Sequence, residues 1–385
     1  MRKILIFIYF SIFLYSSIAL SYPQFIGKGY HACLTCHYNP FGNGPLNDYG
    51  RGVAASAIAG RAFIPKSITD EKLGEHSGFL VHNPSNFPIS PSYDYRSLLI
   101  KSKIDSKEKV DDRFIIMQSD FSLSTQFGER KQYTATATYG YLPKNRNQLQ
   151  DEKDTFSKEH YIGYRPIDSL GIYIGKMEKV FGLRVPDHTS YARTMSNNGI
   201  FDTSSHGATL HLTSEKYDFG LQYFVGDLEK EKEERSNGFS TKFEYSIMEK
   251  MRAGLSYLSE DSETFTDTAY SFLTKAGIGK GSSIMFEYGL KNRTTPTSSS
   301  PVTSQFIFIQ NHIYITRGVY FMASYEQGKQ DTSTADTIHI ISPGIQWFPM
   351  QRLELRGEVS NFKTYSSKDF AEDSWRFLGQ VHIWL

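Results

Sequence analysis

Phe239-Ser240-Thr241-Lys242-Phe243-Glu244-Tyr245-Ser246-Ile247 carries ring or aliphatic side chains at most odd positions and hydroxyl or charged ones at the even positions. That is a period of two, which a half-covered strand produces and a helix would scatter over both faces. After Met248, Glu249 and Lys250 the alternation resumes, with Met251, Ala253, Leu255 and Tyr257 set against Arg252, Gly254 and Ser256. The stretch therefore reads as two strands joined by a tight turn. The pattern recurs at 219–225, 282–290, 305–315, 319–326, 353–359 and 375–385. Extended from about Tyr93 to the last residue, it predicts an all-β, antiparallel fold of roughly 16 strands. Connections are short at 216–218, 316–318 and 350–352 and longer and polar at 227–236, 292–301 and 327–335. Short turns at one end and long loops at the other are the signature of a transmembrane β-barrel.

Two further observations favour a membrane barrel over a soluble β-fold. The even positions hold Lys242, Glu244, Arg252, Arg352, Glu354, Arg356 and Glu358, which a wet lumen accommodates and a sandwich core would bury at high cost. A propeller needs a blade-length repeat, and the sequence has none. Aromatic residues make up 15% of the 385, with 25 Tyr and 28 Phe, yet mean hydropathy is −0.41. Beyond the first residues no apolar run approaches the roughly 18 needed for a membrane helix, so any crossing uses strands. A formal net charge of +1 gives no basic excess for binding phosphates and excludes nucleic acid as an expected partner.

At the N-terminus Arg2 and Lys3 precede an apolar run, followed by the small-residue stretch Ala19-Leu20-Ser21. This reads as a signal peptide, 1–21, too brief for a comfortable span; an uncleaved anchor helix is the alternative. The two cysteines of the chain fall within His31-Ala32-Cys33-Leu34-Thr35-Cys36-His37, the Cys-x-x-Cys-His pattern of covalent haem attachment. Each thiol can form a thioether to a haem vinyl group, and the adjacent His37 then reaches the iron from one face. Three alternatives compete: a thioredoxin-type pair, which lacks its βαβ unit; a zinc site forced from His31, Cys33, Cys36 and His37; and a plain disulfide. Residues 39–45, Asn-Pro-Phe-Gly-Asn-Gly-Pro, supply turn chemistry, and 45–59 reads as a helix closed by Gly60, weakened by Gly50 and Gly52. His76 and His82 lie far enough along the chain to offer a sixth iron ligand; an open or water-bound position is the other option.

The connection 178–206 is too long for a hairpin. It is read as folding inward, with Arg184, His188 and Arg193 lining a constriction that selects anions or acidic solutes, or else as a solvated surface loop.

The residues 22–90, on the strength of Cys33, Cys36 and His37, resemble a minimal c-type cytochrome, and 91–385 is similar to porin-like outer-membrane proteins. Trp375, Phe377, Gly379, Val381, Ile383 and Leu385, on one face of a strand running to the last residue, resemble the terminal strand that the outer-membrane insertion machinery recognises. That family usually ends in Phe or Trp, whereas this chain ends Trp384-Leu385. The fused arrangement resembles the porin-cytochrome conduits of electron-exporting bacteria, in which a barrel sheathes a multihaem cytochrome; a single attachment motif departs from that pattern. The resemblance implies a Gram-negative outer-membrane location with the haem segment on the periplasmic side, one haem c, and periplasmic or multihaem cytochromes as partners beside the membrane lipid. One haem cannot bridge a hydrocarbon core about 30 Å thick, so electron passage needs those partners. The expected function is electron transfer at the cell envelope. The alternative is a porin for small solutes whose N-terminal segment is a structural plug or redox sensor. Peroxidase-like chemistry at an open iron position is a weaker third reading, with no acid-base constellation beside it.

Overall fold

The computed structural model describes residues 23–30, 32–78, 89–104, 107–141, 155–185, 190–195, 203–298, 300–366 and 370–385. Sixteen antiparallel strands close into one barrel. They are β1 (Ile89–Ile104), β2 (Lys107–Phe127), β3 (Tyr133–Tyr141), β4 (Thr155–Ile167), β5 (Leu170–Glu178), β6 (Ser204–Thr213), β7 (Tyr217–Phe224), β8 (Asn237–Met248), β9 (Met251–Asp261), β10 (Thr266–Ile278), β11 (Ser282–Thr294), β12 (Val302–Thr316), β13 (Val319–Lys329), β14 (Thr337–Met350), β15 (Leu353–Tyr365) and β16 (Phe370–Trp384). Closure comes from β1 pairing with β16, in a register running from Asp94 opposite Trp384 to Ile104 opposite Ser374. Every strand thus has a hydrogen-bonded neighbour on each side, as a barrel in lipid requires, although among the described residues 107–119 of β2 pair with β1 alone. Tight turns such as 249–250, 317–318 and 351–352 gather at one end, and long connections such as 179–203, 225–236 and 295–301 at the other. These are called the turn end and the loop end below.

The alternation at 239–247 sorts side chains as its period demands. Phe239, Phe243, Tyr245 and Ile247 are exposed on the outer wall, whereas Ser240, Lys242 and Glu244 are buried on the inner one. Inward charges are kept by pairing: Glu244 lies 2.6 Å from the Lys275 ammonium and 3.3 Å from that of Lys242. Arg352 departs from the lumen-facing expectation. It sits in the two-residue turn between Met350 and Leu353 with φ +67°, because closing that turn needs a left-handed residue where a strand face was expected. Outward rings group in two belts. Phe127, Tyr133 and Tyr164 follow one another at 5.2 and 5.1 Å near the turn end. Phe239, Tyr257 and Tyr270 do so at 5.4 and 5.0 Å toward the loop end. Aromatic girdles at both margins of an apolar band are what a membrane-spanning barrel presents to the two interfaces.

Residues 23–78 enter the lumen from the turn end as a plug. Its pieces are α1 (Pro23–Lys28), a 3-10 turn (Cys33–Thr35), α2 (Asp48–Val53) running into a π-helical turn (Ala54–Ile58), and α3 (Asp70–Gly78). The π-helical turn closes where Ala59 N donates to the Ala54 carbonyl, and the chain then docks on the rim: Gly60 N donates to Phe348 O at 2.7 Å and Ala62 N to Pro349 O at 2.9 Å. Ser283 Oγ holds the Pro23 carbonyl at 2.6 Å, and Arg317 donates to Ala59 O and pairs with Asp70 at 2.7 Å. The predicted helix over 45–59 starts later than expected, at Asp48. Asn47 caps it by accepting from Gly50 N, and Leu46 is instead bridged to His37. Gly50 is required by close approach: a Cβ there would lie 2.3 Å from the Cys36 carbonyl oxygen.

Candidate cofactor site in the lumen

Cys36 N and His37 N both donate to the Cys33 carbonyl, at 3.1 and 2.9 Å. One carbonyl closing both rings winds 33–37 into a single helical turn. Cys33 and His37, four positions apart on this turn, both border the lumen cavity, while Cys36 points into the buried apolar cluster beside it. Behind them the chain folds back as a narrow loop, with Tyr38 N donating to Pro45 O and Asn47 N to Cys36 O. Its tip strings together Gly42 (φ +85°), Asn43 (+59°) and Gly44 (+64°), a left-handed run that Gly adopts without strain and Asn more readily than most residues.

That loop sets the chemistry of His37. Its Nδ1 lies 3.3 Å from the Gly44 carbonyl, which assigns the ring proton to Nδ1 and leaves the Nε2 lone pair available, the form in which imidazole ligates a metal. The ring is half-buried with its open side on a lumen cavity that Cys33 also lines. Burial deep in the barrel brings its pKa down to about 4, against smaller upward pulls from the Gly44 and Asn43 backbones, so the ring is neutral near pH 7.

Around the sulfurs the residues fit a c-type haem in kind. A Cβ on Gly42 would stand 3.2 Å from Cys33 Sγ; the bare glycine keeps that flank clear. Cys36 is buried in one cluster with Phe25, Ala54, Ile58 and Phe348, and all four also line the cavity. One cavity-facing thiol, a committed imidazole beside it and a second thiol in the adjoining apolar cluster are the groups that thioether attachment and axial ligation ask of a protein. Among the described residues no three His, Cys, Asp or Glu side chains are grouped to hold a bare metal ion, and His31, the fourth ligand of the zinc alternative, lies outside them.

The inward fold of 178–206 is present over 179–185 and in α4 (Tyr191–Met195). Val180 N donates to Gln222 and Ser240, Leu183 N to Glu287, and Ala192 N to Glu326, all inner-wall side chains. Arg184 and Arg193 are buried in the lumen and line the cavity, but both approach Glu178, at 3.4 and 3.6 Å. Arg184 also donates to the Gly42 carbonyl at 3.0 Å and the Glu178 carbonyl at 2.9 Å. Arg184 is thus spent in part on joining the inward loop to the plug tip, while Arg193 donates within the loop to the Val185 carbonyl. His188 and His82 lie outside the described residues, as does the side chain of His76 in α3.

Residues the sequence did not single out complete the seat. Asn43 Nδ2 donates to both carboxylate oxygens of Glu178, at 3.1 and 2.9 Å, and Asn39 Nδ2 to Glu159 at 3.2 Å. The turn-forming run 39–45 was the available signal for the two asparagines; Glu159 and Glu178 had none.

No protein-family model matches the chain, and no curated protein does. Solved structures do match in fold. OmpT of Vibrio cholerae superposes with a TM-score of 0.58 over 77% of this chain and 97% of its own, at 8% identity. An anion-selective porin from Comamonas acidovorans gives 0.59 over 77% and 99%, also at 8%. Salmonella typhi OmpF in complex with daunomycin gives 0.55 over 77% and 97%, at 12%. At such identities the likeness is one of fold: this chain has the sixteen-stranded barrel architecture of outer-membrane porins.

Proposed function

We propose that the protein is a Gram-negative outer-membrane barrel that carries one c-type haem on its lumen plug and passes single electrons at the periplasmic side. The supporting observation is the helical turn 33–37, where Cys33 and His37 border the lumen cavity, Cys36 lies in the adjoining apolar cluster and His37 Nδ1 is committed to the Gly44 carbonyl. Bound there, a haem would supply a reversible one-electron couple. Cys33 and Cys36 would hold it covalently and His37 would ligate its iron through Nε2. The apolar cluster of Phe25, Ala54, Ile58 and Phe348 would exclude water from one side. With short turns on the periplasmic side, as in porins, the plug opens toward the periplasm, where soluble or multihaem cytochromes could exchange electrons with it. The deciding experiment is a haem stain on a denaturing gel of membrane-extracted protein beside a Cys33→Ala, Cys36→Ala variant. Stain and a c-type α-band in the wild type alone are expected; an unstained wild type from a host with cytochrome c maturation defeats the reading.

A second reading, a porin for small solutes with 23–78 as a structural plug, is favoured by the inward fold of 179–185 and α4 and by the porin architecture of the solved relatives. Ion conductance in planar bilayers tests it: a conducting protein that bears no haem supports the porin, and a haem-free protein that does not conduct removes it.

A further inference from the structure

The plug does not fill the barrel evenly. α1 packs on β10, β11 and β12 and 59–62 is tied to Arg317, Phe348 and Pro349, while the plug tip reaches β4 and β5 through Asn39 and Asn43. Beside these contacts a cavity borders the plug on several sides, lined from β1, β2, β4 and β16 and also from β8, β10, β11 and β14. Its lining includes Tyr93 and Trp384 at the turn end and Glu178 and Ser204, the last residue of β5 and the first of β6, at the loop end. A single void therefore touches both ends of the strands. Its barrel side is polar and of mixed sign, with Asp94, Arg96, Asp120 and Lys158, the kind of wall that holds water and small hydrated ions.

Cys33 and His37 line this same void. We propose that haem attachment closes it: the haem-free barrel is a narrow ion conduit, and loading the haem stops it. The inference rests on the haem reading above. Cys33 and Cys36 would fix one edge of a rigid macrocycle to the plug, so its opposite edge must project into open space. Cys33 and His37 border the cavity, so that edge would lie within it. A plate held there by two thioethers would stand across the path between Trp384 and Glu178. The apolar residues of the plug would cover one side of it and the mixed charges of the wall would face its rim.

The test uses the wild-type chain made in a host with cytochrome c maturation and in the same host without it, each inserted in planar bilayers in KCl. A Cys33→Ser, Cys36→Ser variant serves as an independent haem-free form, heat-dependent gel migration certifies a closed barrel in all three, and the haem stain records loading. Conductance of the loaded protein is expected severalfold below that of the two haem-free forms, which should agree with each other. Equal conductance in loaded and haem-free barrels overturns the inference while leaving the haem reading standing. An unstained wild type from the maturation-competent host overturns both.

Discussion

Cys33 and Cys36 stand three positions apart and differ in their chemistry. Cys36 is buried in the apolar cluster below the turn, and that burial, with Cys33 adding to it, pushes its thiol up to about 12. A raised thiol pKa favours the neutral, less reactive form of Cys36 near pH 8. Cys33 is half-exposed and lines the cavity. In haem-free protein a short iodoacetamide pulse at pH 8, read by peptide mass spectrometry, should modify Cys33 well before Cys36; equal rates would contradict the burial described. At this scale the sequence was informative where the chemistry is contiguous. Cys33, Cys36 and His37 could be read because the motif is local. Glu159 and Glu178 could not, because they meet Asn39 and Asn43 across 120 and 135 residues, and a lone glutamate in a strand has no mark that distinguishes it from any other lumen charge.

Among the elements, α2 shows how a propensity argument is overridden by packing. Gly50 counts against a helix by about 1 kcal/mol relative to Ala, yet it lies where the Cys36 backbone crosses, with a Cβ placed 2.3 Å from the carbonyl oxygen and 3.0 Å from the Cα. Backbone cannot yield as a side-chain end can, so Gly50→Ala should cost about 1–3 kcal/mol of plug stability, the usual range for overpacking. Limited proteolysis should then cut within 23–78 in the variant and spare it in the wild type, while heat-dependent migration of the barrel stays unchanged. Haem loading should fall in step with the cutting. Wild-type protection in the variant would mean that the turn and helix can separate without loss. The strands were legible because period two survives any tertiary context that covers one face. The helix start was misread by three residues because the capping role of Asn47 and the bridge between Leu46 and His37 are tertiary facts.

For the whole molecule, the strand number and closure follow from counting alternations, but occupation of the lumen does not. The contacts that seat the plug join residues as far apart as Gln24 and Gln346, separated by 322 positions, and no local pattern states which mouth a segment enters. Occupation has an electrostatic consequence. Lys242 lies beneath the plug tip, 5.9 Å from the Phe41 ring, and shares Glu244 with Lys275; all three charged groups border the cavity. The trio carries one net positive charge. Glu244→Gln removes the carboxylate and keeps the shape, leaving two ammonium groups without their shared counter-ion and raising the local charge by one. In a narrow aqueous path this added positive charge attracts chloride and repels potassium. In haem-free barrels under a KCl gradient, the reversal potential of the variant should therefore move toward the chloride equilibrium value, and less so at high salt, where a Debye length of about 3 Å at 1 M screens the trio. A reversal potential that does not move would place the ion path elsewhere than along Lys242, Glu244 and Lys275.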